Sequence, residues 1–204
     1  MKDILVLGAG LVGTPMALDL HSDTNIMVSV ADIDKKKLEI LNNHGIKKTI
    51  QVDIADKDTL KELLKSYDLV LSAVPGHMGY VTLKTIIESQ KPVVDISFFP
   101  EDMFELDDLA KNMSVTAICD MGVAPGMSHL LSAYASHELD KTNQIEIYVG
   151  GLPKIKVQPW EYKAVFSPAD VIEEYMRPAR FVKNGKLVTK PALSDPEIVT
   201  FPAA

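Results

Sequence analysis

The segment Ile4-Leu5-Val6-Leu7-Gly8-Ala9-Gly10-Leu11-Val12-Gly13 narrows the folds open to this chain more than any other stretch. A short apolar run leads into G-x-G-x-x-G, and the run Leu11–Leu20 behind it has a helical period. That strand, tight turn and helix context is what gives the glycine pattern meaning. Gly8 permits the turn, Gly10 lets backbone approach a diphosphate, and Gly13 lets the helix pack close to the sheet. A pyrophosphate would rest on the bare amides of the turn, those of Leu11 and Val12 among them, at the positive end of the helix dipole. Pro15 lies in the first helical turn, where its missing N–H costs little.

The pattern continues to residue 120. Apolar runs at Ile4–Leu7, Ile26–Val30, Thr49–Val52, Leu69–Ala73, Pro92–Ile96 and Val115–Ile118 read as strands. Helix-period segments at Leu11–Leu20, Lys35–Asn43, Lys57–Ser66, Val81–Ser89 and Asp102–Lys111 separate them. Strands that are apolar on both faces belong to a parallel sheet covered by helices on each side. The expected fold is therefore α/β, a doubly wound parallel sheet of the Rossmann type over residues 1–120. A partial α+β substrate and dimerisation domain is expected over 121–204.

In such a sheet ligands collect beyond the carboxyl ends of the strands. Asp32 lies 24 positions beyond Gly8, just past the second strand, where a carboxylate can accept hydrogen bonds from an adenosine ribose. It would repel a 2′-phosphate and no arginine lies near, so NAD is expected rather than NADP. Asp32 has an alternative role as cap of the next helix, which Asp34 could fill instead. Asp53 either meets the adenine edge or begins a turn. Ala73-Val74-Pro75-Gly76 closes the fourth strand with small residues that let backbone approach a ligand. The crevice lining is thus Ala73–His77, Asp95–Phe98 and Asp120–Pro125.

Past Asp120 the texture changes. A glycine- and proline-bearing loop at 122–126 precedes an amphipathic helix over Ser128–Glu138, and Ile145–Val149 reads as a strand. Ser167-Pro168-Ala169-Asp170 has a hydroxyl cap, a first-turn proline and an acid near the dipole's positive end, so a helix starts there. It must stop by Met176 or Arg177, ahead of Pro178. Asn184-Gly185 between two apolar pairs predicts a two-residue hairpin.

Several function classes fall away. The formal net charge is −7 and the longest basic run is Lys35-Lys36-Lys37, so no stripe exists to release counterions from a nucleic acid. Cys119 is the single cysteine, which excludes an internal disulfide and suits a reducing compartment; its apolar setting points to a buried, inert thiol. No signal-peptide pattern or bilayer-length apolar run is present, so a cytoplasmic protein with no membrane partner is expected. His129 and His137 stand eight apart without a third ligand, which supports no metal site.

The runs Val93-Val94-Asp95-Ile96-Ser97, Asp120-Met121-Gly122-Val123-Ala124-Pro125-Gly126 and Gly150-Gly151-Leu152-Pro153 resemble the saccharopine dehydrogenase family. Within it the resemblance is greatest to the lysine 6-dehydrogenase branch. Tyr162-Lys163, Phe166-Ser167 and Glu173–Arg180 extend it across the chain. The resemblance implies NAD-dependent oxidative deamination of L-lysine at its ε-carbon. Saccharopine reductases of the family carry a tyrosine, an aspartate and a cysteine where this chain has Phe98, Ala124 and Val149, which favours the lysine dehydrogenase branch. Family members also run well beyond the point matching Thr200-Phe201, so a fragment is expected. A homodimer is expected too, since a second copy can cover an unfinished sheet edge.

Taking hydride from a carbon that bears an amine requires the amine to be neutral, so a base is needed in the crevice. Asp95 and Asp120 end strands there and are the candidates for base and ammonium anchor, unless they only hold loops through backbone hydrogen bonds. His77 is a third titratable candidate. A substrate α-carboxylate calls for a guanidinium, and the only arginines are Arg177 and Arg180. Compensation of the helix end together with Glu173 and Glu174 is their alternative role. Ser97, Tyr162 and Lys163 complete the candidate substrate residues.

Overall fold

Residues Ile4–Leu7 of strand β1 (Lys2–Leu7) are almost wholly withdrawn from solvent. An apolar run of this kind needs cover on both faces, and the computed structural model, which describes residues 1–164 and 166–200, supplies it. Val6 packs with Val28 and Val30 of β2 (Ile26–Asp32) beneath α1 (Gly13–His21) and α2 (Lys35–Asn43), in a layer that includes Ala17, Leu38 and Leu41. Leu5 and Leu7 point the other way, into a second layer with Leu60 and Leu64 of α3 (Lys57–Leu64) and Leu83, Ile86 and Ile87 of α4 (Gly76–Glu88). Each such fully buried side chain contributes about 1.5–3 kcal/mol of transfer free energy.

With β3 (Lys48–Gln51), β4 (Leu69–Ser72), β5 (Val93–Asp95) and β6 (Ala117–Ile118), the six parallel strands take the order β3-β2-β1-β4-β5-β6. The order reverses between β1 and β4, which defines the switch point of a doubly wound sheet. Register then aligns the strand ends: Leu7 pairs with Ala31 on one side and Ser72 on the other, and Ser72 pairs with Asp95. The residues following these positions share one rim.

Helix starts are set locally. Asp34 caps α2 by accepting the Lys36 amide at 2.9 Å, and Asp56 caps α3 by accepting that of Thr59 at 2.7 Å. The helix expected from Val81 begins five residues earlier, at Gly76, because Pro75 serves as its N-cap and Gly79 is accommodated by close packing against Ser97 and Phe99. The Asp102–Lys111 segment divides into a 3₁₀ turn (Met103–Leu106) and the short α5 (Asp107–Asn112), each with its own start.

The described residues group into two compact units divided between residues 165 and 166. Within the first unit the chain past β6 stays tied to the sheet: the Met121 amide donates to the Asp95 carbonyl at 3.0 Å. Helix α6 (Met127–Glu138) follows with no buried residue. The strand expected at Ile145–Val149 does not form. These side chains are exposed, and no neighbouring strand supplies a hydrogen-bonding ladder among the described residues. In the second unit, α7 (Pro168–Met176) is capped by Ser167 and ends before Pro178 as expected. β7 (Ala179–Lys183) and β8 (Lys186–Lys190) form the hairpin, with Asn184 and Gly185 at φ 53° and 71° in the left-handed region its two-residue turn requires. Residues 201–204 lie outside the described residues.

Candidate functional site

The glycine turn is built for close approach. Gly8 has φ +98°, and a Cβ there would lie 2.5 Å from the Ala73 carbonyl oxygen. A Cβ on Gly13 would strike the Gly8 carbonyl, so both glycines are required by the protein itself. Gly10 differs: nothing lies within 4 Å of the place its Cβ would take. The space above Gly10 is open, and a glycine there serves whatever enters it. Helix α1 has no side-chain cap, which leaves first-turn amides available beside that space, while Leu11 and Val12 present exposed side chains. These features fit a diphosphate.

Asp32 braces this turn. One carboxylate oxygen accepts the Ala9 amide at 2.6 Å and the other accepts the Asp34 amide at 2.7 Å. Asp34, not Asp32, caps α2. The carboxylate is thereby held at the rim beside β1, with lone pairs left for a ribose. Asp53 is exposed past β3 and accepts the Ala55 amide at 2.9 Å, the geometry of a turn. Ala73, Val74 and Pro75 pass directly beneath the glycine turn, the Ala73 amide donating to the Leu7 carbonyl at 2.9 Å.

The next strand end carries the acidic groups. Asp95 has 0% of its surface exposed and accepts both the Ser97 amide at 2.8 Å and the Ser97 hydroxyl at 3.1 Å. Burial raises its pKa to about 6, opposed by Ser72 and Ser97 and assisted by the charge of Asp120. The buried Ser72 hydroxyl makes no hydrogen bond of ordinary geometry, yet its dipole beside the carboxyl acts against the rise. Asp120, half-buried at the end of the β6 segment with φ +57°, sits close enough to act on both Asp95 and Cys119. Burial, followed by these two carboxylates, pushes the Cys119 thiol up to about 12, which makes it a poor nucleophile. His77 stands exposed in the first turn of α4 rather than in a loop.

Tyr162 and Lys163 are exposed in irregular chain of the first unit. Arg177 and Arg180 belong to the second unit, where Arg177 pairs with Glu173 at 3.1 Å, one helical turn earlier. Sequence reasoning missed two contributors. Ser72 was legible only as a strand residue, and Gly79 only as a helix residue. A Cβ at Gly79 would lie 2.7 Å from the Ser97 Cβ and 2.5 Å from the Phe99 ring, so this glycine seats the turn after β5.

The sheet order, the glycine turn at its switch point and the braced acid define a Rossmann-type dinucleotide-binding domain. Comparison with known proteins then gives the family. Residues 4–118 match the saccharopine dehydrogenase NADP binding domain and residues 122–203 the saccharopine dehydrogenase C-terminal domain. The chain belongs to the saccharopine dehydrogenase family. It is 32% identical over 197 residues to the mitochondrial alpha-aminoadipic semialdehyde synthase of Rattus norvegicus, covering 92% of this chain and 21% of that protein. With the NADP(+), L-glutamate-forming saccharopine dehydrogenase of Pyricularia oryzae it shares 31% identity, over 97% of this chain and 45% of that one. The apo L-Glu-forming saccharopine dehydrogenase of Saccharomyces cerevisiae has the same fold, with a TM-score of 0.74 at 24% identity over 100% of this chain and 48% of that structure. The chain thus spans less than half the length of these relatives. No helix among the described residues is long and apolar enough to cross a membrane.

Proposed function

We propose that this chain holds NAD in the crevice beyond β1, β2 and β4 and serves the oxidation of a carbon–nitrogen bond in a lysine-derived amine. The open space above Gly10, between two glycines the fold itself requires, carries the reading. The turn amides would hold the diphosphate and Asp32 the adenosine ribose. When bound, the nicotinamide supplies a hydride acceptor.

With L-lysine, the ε-carbon gives up a hydride and the neutral ε-amine a proton, so the C–N single bond becomes C=N. Water then adds and ammonia leaves, giving the aminoadipate semialdehyde. Asp120 is the carboxylate we propose for moving protons, since Asp95 has no exposed surface. For an amino-acid carboxylate the chain offers the guanidiniums of Arg177 and Arg180, with Ser97, Tyr162, Lys163 and His77 as further polar candidates. Phe98, Ala124 and Val149, all without polar side-chain groups, support a primary amine over saccharopine.

A second reading, saccharopine as substrate with NADP, is favoured by the names of the matching NADP binding domain and of the NADP(+), L-glutamate-forming relative. Against it on the cofactor side stands Asp32, whose fixed carboxylate would face a 2′-phosphate. The deciding experiment incubates the chain with NAD or NADP and with L-lysine or saccharopine, following reduced cofactor by its absorbance and products by mass. NADH formed with lysine supports the first reading. NADPH formed with saccharopine overturns both the substrate and the cofactor assignment. A homodimer, covering the exposed Leu130, Leu131 and Tyr134 of α6, belongs to the same reading and is checked by light scattering.

A further inference from the structure

We infer that Asp95 is a positioning residue: acting through Ser97, it sets the turn 97–99 against α4 and so shapes the crevice wall facing the half of a dinucleotide that lies away from Asp32. The inference rests on the dinucleotide reading given above and assigns the buried acid a part in it.

A carboxylate that exchanges protons with a substrate must touch it, and Asp95 has no accessible surface. Its oxygens are turned instead to the backbone and hydroxyl of Ser97, closing a two-residue ring of hydrogen bonds at the strand end. The backbone around it is held from both sides. The Met121 amide donates to the Asp95 carbonyl, and the Ile96 amide donates to the Ser72 carbonyl, each at 3.0 Å. The direction in which the chain leaves β5 is set jointly by these backbone bonds and by the Asp95 side chain.

That direction seats the next residues in a notch on α4. Only a glycine at position 79 leaves room for the Ser97 Cβ and the Phe99 ring. Phe99 meets the Tyr80 ring edge-on at 5.9 Å and 72°, and the Tyr80 hydroxyl donates to Glu105 at 3.1 Å, which anchors the far side of the turn. The same helix begins at Gly76, just past the Ala73 carbonyl on which Gly8 rests. Glycine turn, start of α4 and Ser97 turn form one packed run. With Asp32 at the end of β2 and the diphosphate over β1, the strand order sends the remaining half of a dinucleotide over β4 and β5. Phe98, between the two anchored residues Ser97 and Phe99, is carried by this turn.

The test measures binding to the full chain of ADP, which represents the adenosine half alone, and of NADH or NADPH, whichever the wild type holds more tightly. Asp95→Ala is expected to weaken the reduced dinucleotide about tenfold, the scale of one lost hydrogen bond, while ADP binding stays within about twofold. Asp95→Asn, which keeps an acceptor for the Ser97 amide and a donor toward the Ser97 and Ser72 hydroxyls, is expected to restore dinucleotide affinity to within about threefold. Should Asp95→Ala fail to fold by circular dichroism, Ser97→Ala is read in the same way. Equal loss of ADP and dinucleotide, no loss of either, or an Asp95→Asn variant as weak as the alanine would overturn the inference while leaving the dinucleotide site standing. A wild-type chain that takes up neither ligand overturns the site and the inference together.

Discussion

Replacing Asp95 by asparagine should stabilise this protein, and by an amount that depends on pH. Folding moves the Asp95 carboxyl from its ordinary value of 3.8 to about 6, chiefly because burial penalises the charged form. A raised acid pKa means that the folded state binds the proton more tightly than the unfolded chain does. The favourable contribution is complete below about pH 3.8 and is lost as pH rises through about 6. At about 1.36 kcal/mol per pKa unit, a rise of roughly two units makes the ionised side chain cost about 3 kcal/mol relative to the protonated one. Asparagine keeps the acceptor for the Ser97 amide and places a donor beside the unpartnered Ser72 hydroxyl, with no charge to bury. Urea denaturation of both proteins at steps from pH 4 to pH 8 isolates the effect, since other titrating groups cancel in the difference. The variant should match or trail the wild type near pH 4 and exceed it by about 2–3 kcal/mol at pH 8, most of the change falling between pH 4 and 7. Asp120 and Cys119 are the titratable neighbours of Asp95, and both remain in the variant. A difference that does not vary with pH, or a variant less stable than wild type at pH 8, would refute the reasoning.

Three further outcomes are expected. Gly10→Ala should leave stability within about 0.5 kcal/mol, because its methyl enters open space, yet weaken dinucleotide binding at least about tenfold; Gly13→Ala, whose methyl meets the Gly8 carbonyl, should lower stability itself by about 1–3 kcal/mol. Thermal melts with and without cofactor separate the two. Asp32→Ala should weaken NAD binding and also speed hydrogen exchange at the Ala9 amide, which loses its acceptor, while Asp34→Ala should leave that amide protected. Cys119, with its thiol pushed up to about 12, should react with iodoacetamide far more slowly at pH 8 than a free thiol does, and reach the free rate only on denaturation.

Much of the fold is legible in the chain because its signals are local. Apolar runs bounded by turns mark β1 and β2. Asp34 and Ser167 announce α2 and α7 through the hydroxyl or carboxylate that a helix start demands, and Asn184-Gly185 announces its hairpin through the left-handed backbone it tolerates. Where an element depends on a distant partner, the sequence alone misleads. Ile145–Val149 has the residues of a strand but no neighbour to pair with among the described residues, and α6 has an apolar stripe with nothing described to bury it. Gly79 disguises the first turn of α4, because its reason is the packing of Ser97 and Phe99 rather than helix propensity.

The site divides in the same way. The order of residues alone set where the diphosphate turn lies, that Asp32 follows the second strand, and that Asp95 and Asp120 end strands. Tertiary structure decided which of those acids can reach solvent. Parallel register places Ser72 beside Asp95 and lets the surrounding layers exclude water, and that exclusion, a property of neighbours far away along the chain, turns one of two similar aspartates into a buried brace.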